Sequence, residues 1–306
     1  MRLGQEVQAL PRPGRLTTGC ALAASTARAD ALACLAEAFQ ASGIDDPKRE
    51  AGITLSAASG VAPIDLIIAP REPLGPAAAR VEEFAARRVA GEPLSRIVGR
   101  REFWGIELML SPQVLDPRPE TETIVEAALR LFRDRREEPL RLLDLGVGSG
   151  ALLCALLGEF PHARGIGVDI SPGAANVARG NIEARGLVGR AEIRLGDWTI
   201  GLEGPFDLIV SNPPYIATAD LPALPREVHD FDPELALDGG IDGLEAYRTL
   251  IPRSPSLLTE GGWLMVEIGA GQAADVVAIA QQSGLSDVRI DKDLAGHDRV
   301  VAARRR

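Results

Sequence analysis

Lysine is almost missing from this chain of 306 residues: Lys48 and Lys292 are the only two, and nearly all positive charge is arginine. Histidine and cysteine are as scarce. His162, His229 and His297 are too few and too scattered for a multi-histidine centre, so no metal is expected. Cys20, Cys34 and Cys154 are odd in number and far apart, which argues against a disulfide framework and against a zinc site. Aromatic residues make up 4% of the chain, leaving the core to Leu, Ile, Val and Ala. A net charge of −10 argues against non-specific binding to a phosphate backbone, so no direct nucleic-acid contact is expected. No stretch approaches the roughly 20 apolar residues of a membrane span. Arg12 and Arg15 ahead of Leu16–Ala27 loosely mimic a signal peptide. Large apolar residues are too few there, and Arg28 and Asp30 interrupt the run. A cytoplasmic, reduced protein is the expectation.

Residues 1–25 mix Pro, Gly, Thr and Arg without period and read as a poorly ordered leader. From Thr26 the pattern is helical. Ala31, Leu32, Leu35, Ala38 and Phe39 recur at helical spacing until Ser42-Gly43. Asp46-Pro47 opens a second helix through Leu55, and Pro63–Ile68 and Pro76–Ala90 suggest two more. A helical domain over 26–91 follows. Residues 92–122 read as a linker of short strands at 97–99, 102–108 and 114–115, with a turn near Gly105. The stiff segment Asp116-Pro117-Arg118-Pro119-Glu120-Thr121-Glu122 comes next, where Thr121 or the acids can cap a helix over 124–133.

From Leu140 strands and helices alternate, as in a parallel α/β sheet, so 123–306 is expected to be one domain. Strands are expected at 140–145, 164–169, 191–195, 206–211, 262–268, 287–291 and 298–303. Helices are expected at 150–159, 172–185, 242–258 and 272–283. No helix separates the last two strands, which makes them an antiparallel hairpin.

Four stretches carry chemistry. Asp144-Leu145-Gly146-Val147-Gly148-Ser149-Gly150 joins the first strand of this domain to its helix. Glycines let a backbone approach a ligand closely, and the following helix start offers N–H groups. Gly146, Gly148 and Ala151 also satisfy the loose dinucleotide fingerprint, so the loop leaves nicotinamide and adenosyl cofactors both open. Asp144 tilts it towards S-adenosylmethionine, because a carboxylate there can take the cofactor's amino group. Asp169, ending the second strand, suits a pair of ribose hydroxyls or, alternatively, a helix N-cap. Asp197 can bond an adenine amino group and Trp198 can pack on its ring, or Trp198 is a core residue near a turn.

The fourth stretch is Asn212-Pro213-Pro214-Tyr215, where two prolines force the chain out of the sheet. A dehydrogenase has no use for it. A methyltransferase acting on a planar nitrogen does. Asn212 and the Pro213 carbonyl can accept hydrogen bonds from an NH₂ group, and Pro214 and Tyr215 can line its plane. Catalysis would be mostly positioning.

With these residues the chain resembles the bacterial family of glutamine methyltransferases of peptide chain release factors, PrmC or HemK. The resemblance is carried by Gly91-Glu92-Pro93, Glu102-Phe103-Trp104-Gly105, Pro117–Glu122, the loop 144–150, Asp169, Asp197-Trp198, Asn212–Tyr215 and Glu234–Gly240 with Asp242-Gly243-Leu244. It covers about residue 26 to the C-terminus. Asn-Pro-Pro-Tyr is shared with adenine and guanine amino methyltransferases and with a ribosomal-protein glutamine methyltransferase, so the narrower signal is Pro117–Glu122 joined to the helical domain. Asp116 and Val147 depart from the family pattern. The resemblance implies a class I, Rossmann-like, S-adenosylmethionine-dependent fold with a seven-stranded mostly parallel sheet. Asn212, Pro213 and Tyr215 are the expected catalytic residues, and Asn212 is also expected to contact the cofactor. The resemblance also implies a release factor as partner, methylated on the glutamine of a Gly-Gly-Gln loop. Segment 217–238 is read as a lid or a plain loop.

Overall fold

The computed structural model describes residues 21–306, so the expected leader lies outside the described residues as far as residue 20. The chain forms two compact units, one reaching Val98 and the other running from Gly99 to Arg306.

The first unit is helical: α1 Arg28–Ala41, α2 Pro47–Ser59, α3 Pro63–Ile68, α4 Ala78–Val89 and α5 Leu94–Val98. Its core gathers Leu35, Phe39, Leu55, Val81, Phe84 and Ile97. Leu22 joins that core and its N–H donates to Glu82 Oε1 at 2.6 Å, so ordered chain begins before Thr26. Asp46 caps α2 by accepting from the Arg49 N–H, and Pro47 holds the first helical position. α2 runs on to Ser59 and stops at Gly60, which takes a left-handed conformation. Ile97 and Val98 belong to α5, not to a strand, and Ile97 buries against the helices. One expectation is corrected: Cys34 is disulfide-bonded.

The second unit opens with an antiparallel hairpin, β1 Arg100–Phe103 and β2 Ile106–Met109. Trp104 and Gly105 form its two-residue turn, both at positive φ, the geometry that matches strand twist. No strand forms at 114–115, where Val114 is buried in irregular chain. α6 Glu122–Leu131 follows. The sheet then alternates β3 Arg141–Leu145, α7 Ala151–Glu159, β4 Arg164–Asp169, α8 Pro172–Ala184, β5 Ala191–Leu195 and β6 Phe206–Ser211. Short helices α9 Arg226–His229, α10 Glu245–Leu250 and α11 Ser254–Leu257 precede β7 Leu258–Glu267, α12 Ala273–Gln282, β8 Leu285–Lys292 and β9 Asp298–Arg305. The single helix expected over 242–258 is broken into pieces, with Pro252 and Pro255 each at the start of a new turn.

Seven strands lie in the order β5-β4-β3-β6-β7-β9-β8, parallel except for the pairs that β9 makes with β7 and β8. This is a class I methyltransferase sheet, with its antiparallel hairpin at the C-terminus. Side chains alternate between two apolar layers. Leu142, Leu208 and Val210 face α6, α7 and α8, while Leu143, Leu145 and Ile209 face α10 and α12. The run Ala151–Leu157 is buried on every side of α7, and each such leucine contributes about 1.5–3 kcal/mol by leaving water. From β3 the chain steps outward through β4 to β5, then returns to place β6 on the other flank of β3. That reversal opens a crevice at the carboxyl ends of β3 and β6, where sheets of this type bind ligands.

Candidate active site

All four chemical stretches lie at the carboxyl ends of neighbouring strands. Trp198 follows β5, Asp169 ends β4, the glycine loop follows β3 and Asn212 follows β6.

The glycine loop is wound by its own backbone. The N–H groups of Gly146 and Val147 both donate to the Val168 carbonyl, and Gly150 N–H donates to the Val147 carbonyl. Gly146, Gly148 and Gly150 take φ values of 72°, 53° and 82°, which strain any other L residue. At Gly150 it is this backbone conformation, not lack of room, that calls for glycine, since a Cβ would meet Ala178 at an ordinary contact distance of 3.4 Å. The Val147 side chain points into the core, and only its backbone belongs to the loop. Ser149 is likewise buried, and its carbonyl accepts from Asn181 Nδ2.

Asp144 lies on the α7 face of β3, 1% exposed, and neither carboxylate oxygen has a hydrogen-bond partner. Burial pushes its carboxyl up to about 7, against the pull of the Leu153 backbone N–H, which falls short of a hydrogen bond, and with help from the nearby Asp169 charge. An orphaned carboxylate under a glycine loop fits a cationic amino group. Asp169 is held by backbone donors and is not the N-cap of α8. Its Oδ2 accepts from Gly148 N–H and its Oδ1 from Ser171 N–H, both at 2.9 Å. The cap of α8 is Ser171, whose hydroxyl accepts from Ala174 N–H. Each Asp169 oxygen keeps a free lone pair for a further donor. Asp197 is exposed. The Trp198 ring lies 3.6 Å from where a Gly146 Cβ would stand, so ring and loop form one wall. Trp198 also has φ 48°, a left-handed backbone in a bulky residue, and such strain gathers at ligand sites.

Asn212 and Pro213 leave β6 at the crevice. Asn212 Nδ2 donates to Thr121 Oγ1 at 3.0 Å. Thr121 is buried and places no side-chain cap on α6, contrary to the expectation for it. Tyr215 turns towards β7, and its hydroxyl donates to Glu267 Oε1 at 3.3 Å. The Tyr215 carbonyl accepts from Gln272 Nε2 at 2.9 Å. Gln272 Nε2 also donates to the Gly243 carbonyl, and its Oε1 accepts from Gly269 N–H. A shallow cavity of about 400 Å³ beside this loop is lined by Tyr215, Ile216, Asp220, Asp242, Ala270 and Gln272, among others.

Sequence reasoning missed Thr121 as a partner of Asn212, and missed Glu267 and Gln272 altogether. Their only signal was position: Glu267 ends a strand, and Gln272 follows a Gly-rich turn. Segment 217–238 is closed at its ends by the Ile216–Asp238 bridge and by Thr218 Oγ1 donating to Asp238. In its middle, buried Asp232 accepts from Arg118 Nη2 at 2.6 Å and from Asp116 N–H at 3.2 Å. Asp116, an odd acid by the family pattern, is buried and pairs with Arg101 at 3.6 Å. Cys154 is no nucleophile, because burial pushes its thiol up to about 12. Among the described residues no group of His, Cys, Asp and Glu could hold a metal ion, and no helix is long and apolar enough to cross a membrane.

Residues 30–99 match the family model "PrmC N-terminal domain", and residues 126–225 match "Methyltransferase small domain". The chain is 47% identical over 269 residues to a release factor glutamine methyltransferase of Rhodospirillum rubrum, covering 88% of this chain and 82% of that one. It is 46% identical over 275 residues to the protein of the same name in Bradyrhizobium diazoefficiens, covering 89% and 92%. Among solved structures, the hMettl16 catalytic domain in complex with a MAT2A 3′UTR hairpin is similar with a TM-score of 0.56 and 16% identity. That similarity covers 72% of this chain and 81% of the other, and it is a likeness of fold.

Proposed function

The chain belongs to the release factor glutamine methyltransferase family, and on that premise we propose that its Asn212–Tyr215 loop methylates the side-chain amide nitrogen of a glutamine in a peptide chain release factor. The target is the glutamine of the Gly-Gly-Gln loop of class-1 release factors. The protein acts in the cytoplasm on that protein partner, without direct nucleic-acid contact.

S-adenosylmethionine, when bound, supplies an electrophilic methyl group on a sulfonium. The orphaned Asp144 carboxylate fits its amino group, Asp169 its ribose hydroxyls, and Asp197 with Trp198 its adenine, against the backbone of Gly146–Gly150. The remaining task falls to the chain's own residues. An amide nitrogen is a poor nucleophile because its lone pair is delocalised into the carbonyl. Asn212 Oδ1 and the Pro213 carbonyl accept the two amide hydrogens, which holds the nitrogen in line for transfer. Pro214 and Tyr215 line the plane of the amide. Fixing the nitrogen in one near-attack geometry replaces a bimolecular encounter by a positioned one.

The observation that carries this reading is the Asn212–Thr121 hydrogen bond. It engages one N–H of the Asn212 amide and turns the oxygen away from Thr121, leaving an acceptor suited to an NH₂ group. The test is transfer of labelled methyl from S-adenosylmethionine to a purified release factor. Label is expected in the wild-type factor and not in one whose loop glutamine is replaced by alanine. Equal labelling of both, or label in DNA or ribosomal RNA that resists protease, would overturn it.

A further inference from the structure

Glu267 is a buried acid that the mechanism above leaves without a task. It ends β7, the strand that pairs with β6, and Ser211 is in register with Val266. The next residues along are Asn212 and Glu267, so they leave adjacent strands at the same edge. Glu267 is 1% exposed. Its backbone carbonyl accepts from Tyr247 at 2.8 Å, and Oε1 accepts from Tyr215. Oε2 is buried with no hydrogen-bond partner. Thr121 acts on this carboxyl, lowering it, and its hydroxyl already accepts from Asn212. Arg299 and Glu120 also face this carboxyl, and Arg118 with Arg299 act on Tyr215.

The direction of each proton matters. Asn212 Nδ2 donates to Thr121 Oγ1, so the hydrogen of the Thr121 hydroxyl must point elsewhere. A carboxylate is an acceptor only. With Glu267 ionised, the hydroxyl hydrogen has one charged acceptor and its lone pair stays open for Asn212. With Glu267 protonated or replaced by an amide, a donor competes for the hydroxyl oxygen. The constraint that turns the Asn212 oxygen away from Thr121 is then lost.

We propose that Glu267 is a positioning residue of methyl transfer, acting through Thr121 to hold Asn212 with its amide oxygen facing the substrate and through the Tyr215 hydroxyl to hold the other end of the same loop. It rests on the methyltransferase reading above. Burial pushes the Glu267 carboxyl up to about 7, against the opposing pull of Thr121, Arg299 and Tyr215, with Glu120 acting upward. Transfer by the wild-type enzyme therefore rises between about pH 6 and pH 8 as the carboxylate forms.

The test uses the full-length enzyme and a release factor, with kcat, KM and cofactor affinity measured for Glu267→Gln, Thr121→Val and Thr121→Ser across that pH range. Expected are a fall in kcat of about ten- to hundredfold for the first two, the size that a small misplacement of a reacting group produces. KM and cofactor affinity should stay within about twofold, Thr121→Ser should recover activity, and the rise of kcat with pH at saturating cofactor, which removes the contribution of Asp144, should vanish in Glu267→Gln. Wild-type kcat in Thr121→Val, or an unchanged pH profile in Glu267→Gln, overturns the proposal. If Glu267→Gln does not fold, the two Thr121 variants decide. If the wild-type enzyme labels no release factor, the functional reading fails, and the side-chain amide resonance of Asn212 still tests the wire. That resonance should move between pH 6 and pH 8 in the wild type and stay still in Thr121→Val. An unmoved wild-type resonance overturns the role of Glu267.

Discussion

Asn212 Nδ2 and Thr121 Oγ1 meet at 3.0 Å across 91 residues of chain, joining the strand exit after β6 to the start of α6. The pair orients an amide whose two ends would otherwise be interchangeable to a substrate. Asn212→Ala removes both the acceptor and its anchor. Methyl transfer should fall by at least about a hundredfold, the scale seen on removing one electrostatic contact to a reacting group. Cofactor affinity, read by calorimetry, should fall far less. An equal collapse of both would make Asn212 a cofactor ligand.

Asp169 ties Gly148 to Ser171 and keeps lone pairs for two hydroxyls. Asp169→Ala should raise the dissociation constant of S-adenosylmethionine by about ten- to a hundredfold, the cost of unmade hydrogen bonds to a charged group. It should change KM for the release factor little. Titration calorimetry at fixed pH checks it.

Asp144 gives a stability effect of opposite sign to its role in binding. Its carboxyl, ordinarily near 3.8, stands at about 7 in the folded protein. Between those values the folded state holds a proton that the unfolded state has released, so stability falls as pH rises through that window. Asp144→Asn removes the buried charge. At pH 8 it should stabilise the protein by on the order of 1–4 kcal/mol, read as a higher denaturation midpoint, while weakening cofactor binding. At pH 4 the gain should vanish. A loss of stability at pH 8 would mean the carboxylate has partners of its own.

Gln272 fastens three loops with one side chain, accepting from Gly269 and donating to the carbonyls of Tyr215 and Gly243. Gly243 has no room for a side chain, since a Cβ there would stand 2.4 Å from the Tyr215 carbonyl oxygen. Gln272→Ala leaves two carbonyls and one N–H without partners. It should cost about 1–3 kcal/mol of stability and lower kcat more than it weakens cofactor binding. Chemical denaturation and steady-state kinetics separate the two effects.

Much of the fold could be read from the chain. The strands β3 to β6, the helices between them and the last hairpin follow from apolar runs bounded by Gly, Pro and Asp. Errors fell where local pattern is weak. Ile97-Val98 has the composition of a strand and forms α5, because Ile97 finds a helical core to enter. The run 242–258 looks helical and is split by two prolines. Cys34 forms a disulfide that the cysteine count argued against.

The sequence alone determined which residues would stand at strand ends, because a strand exit is written locally in Asp144-Leu145-Gly146, in Asp169 and in Asn212-Pro213-Pro214-Tyr215. It also determined the family, through motifs that keep their order along the chain. Only the tertiary structure decided which partner each of those residues would have. Strand order and register are set by how seven strands bury both faces at once, a property of the whole sheet. That packing put β7 against β6, carried Glu267 to the side of Asn212, and brought Thr121 from 91 residues upstream to choose which end of the Asn212 amide faces the crevice.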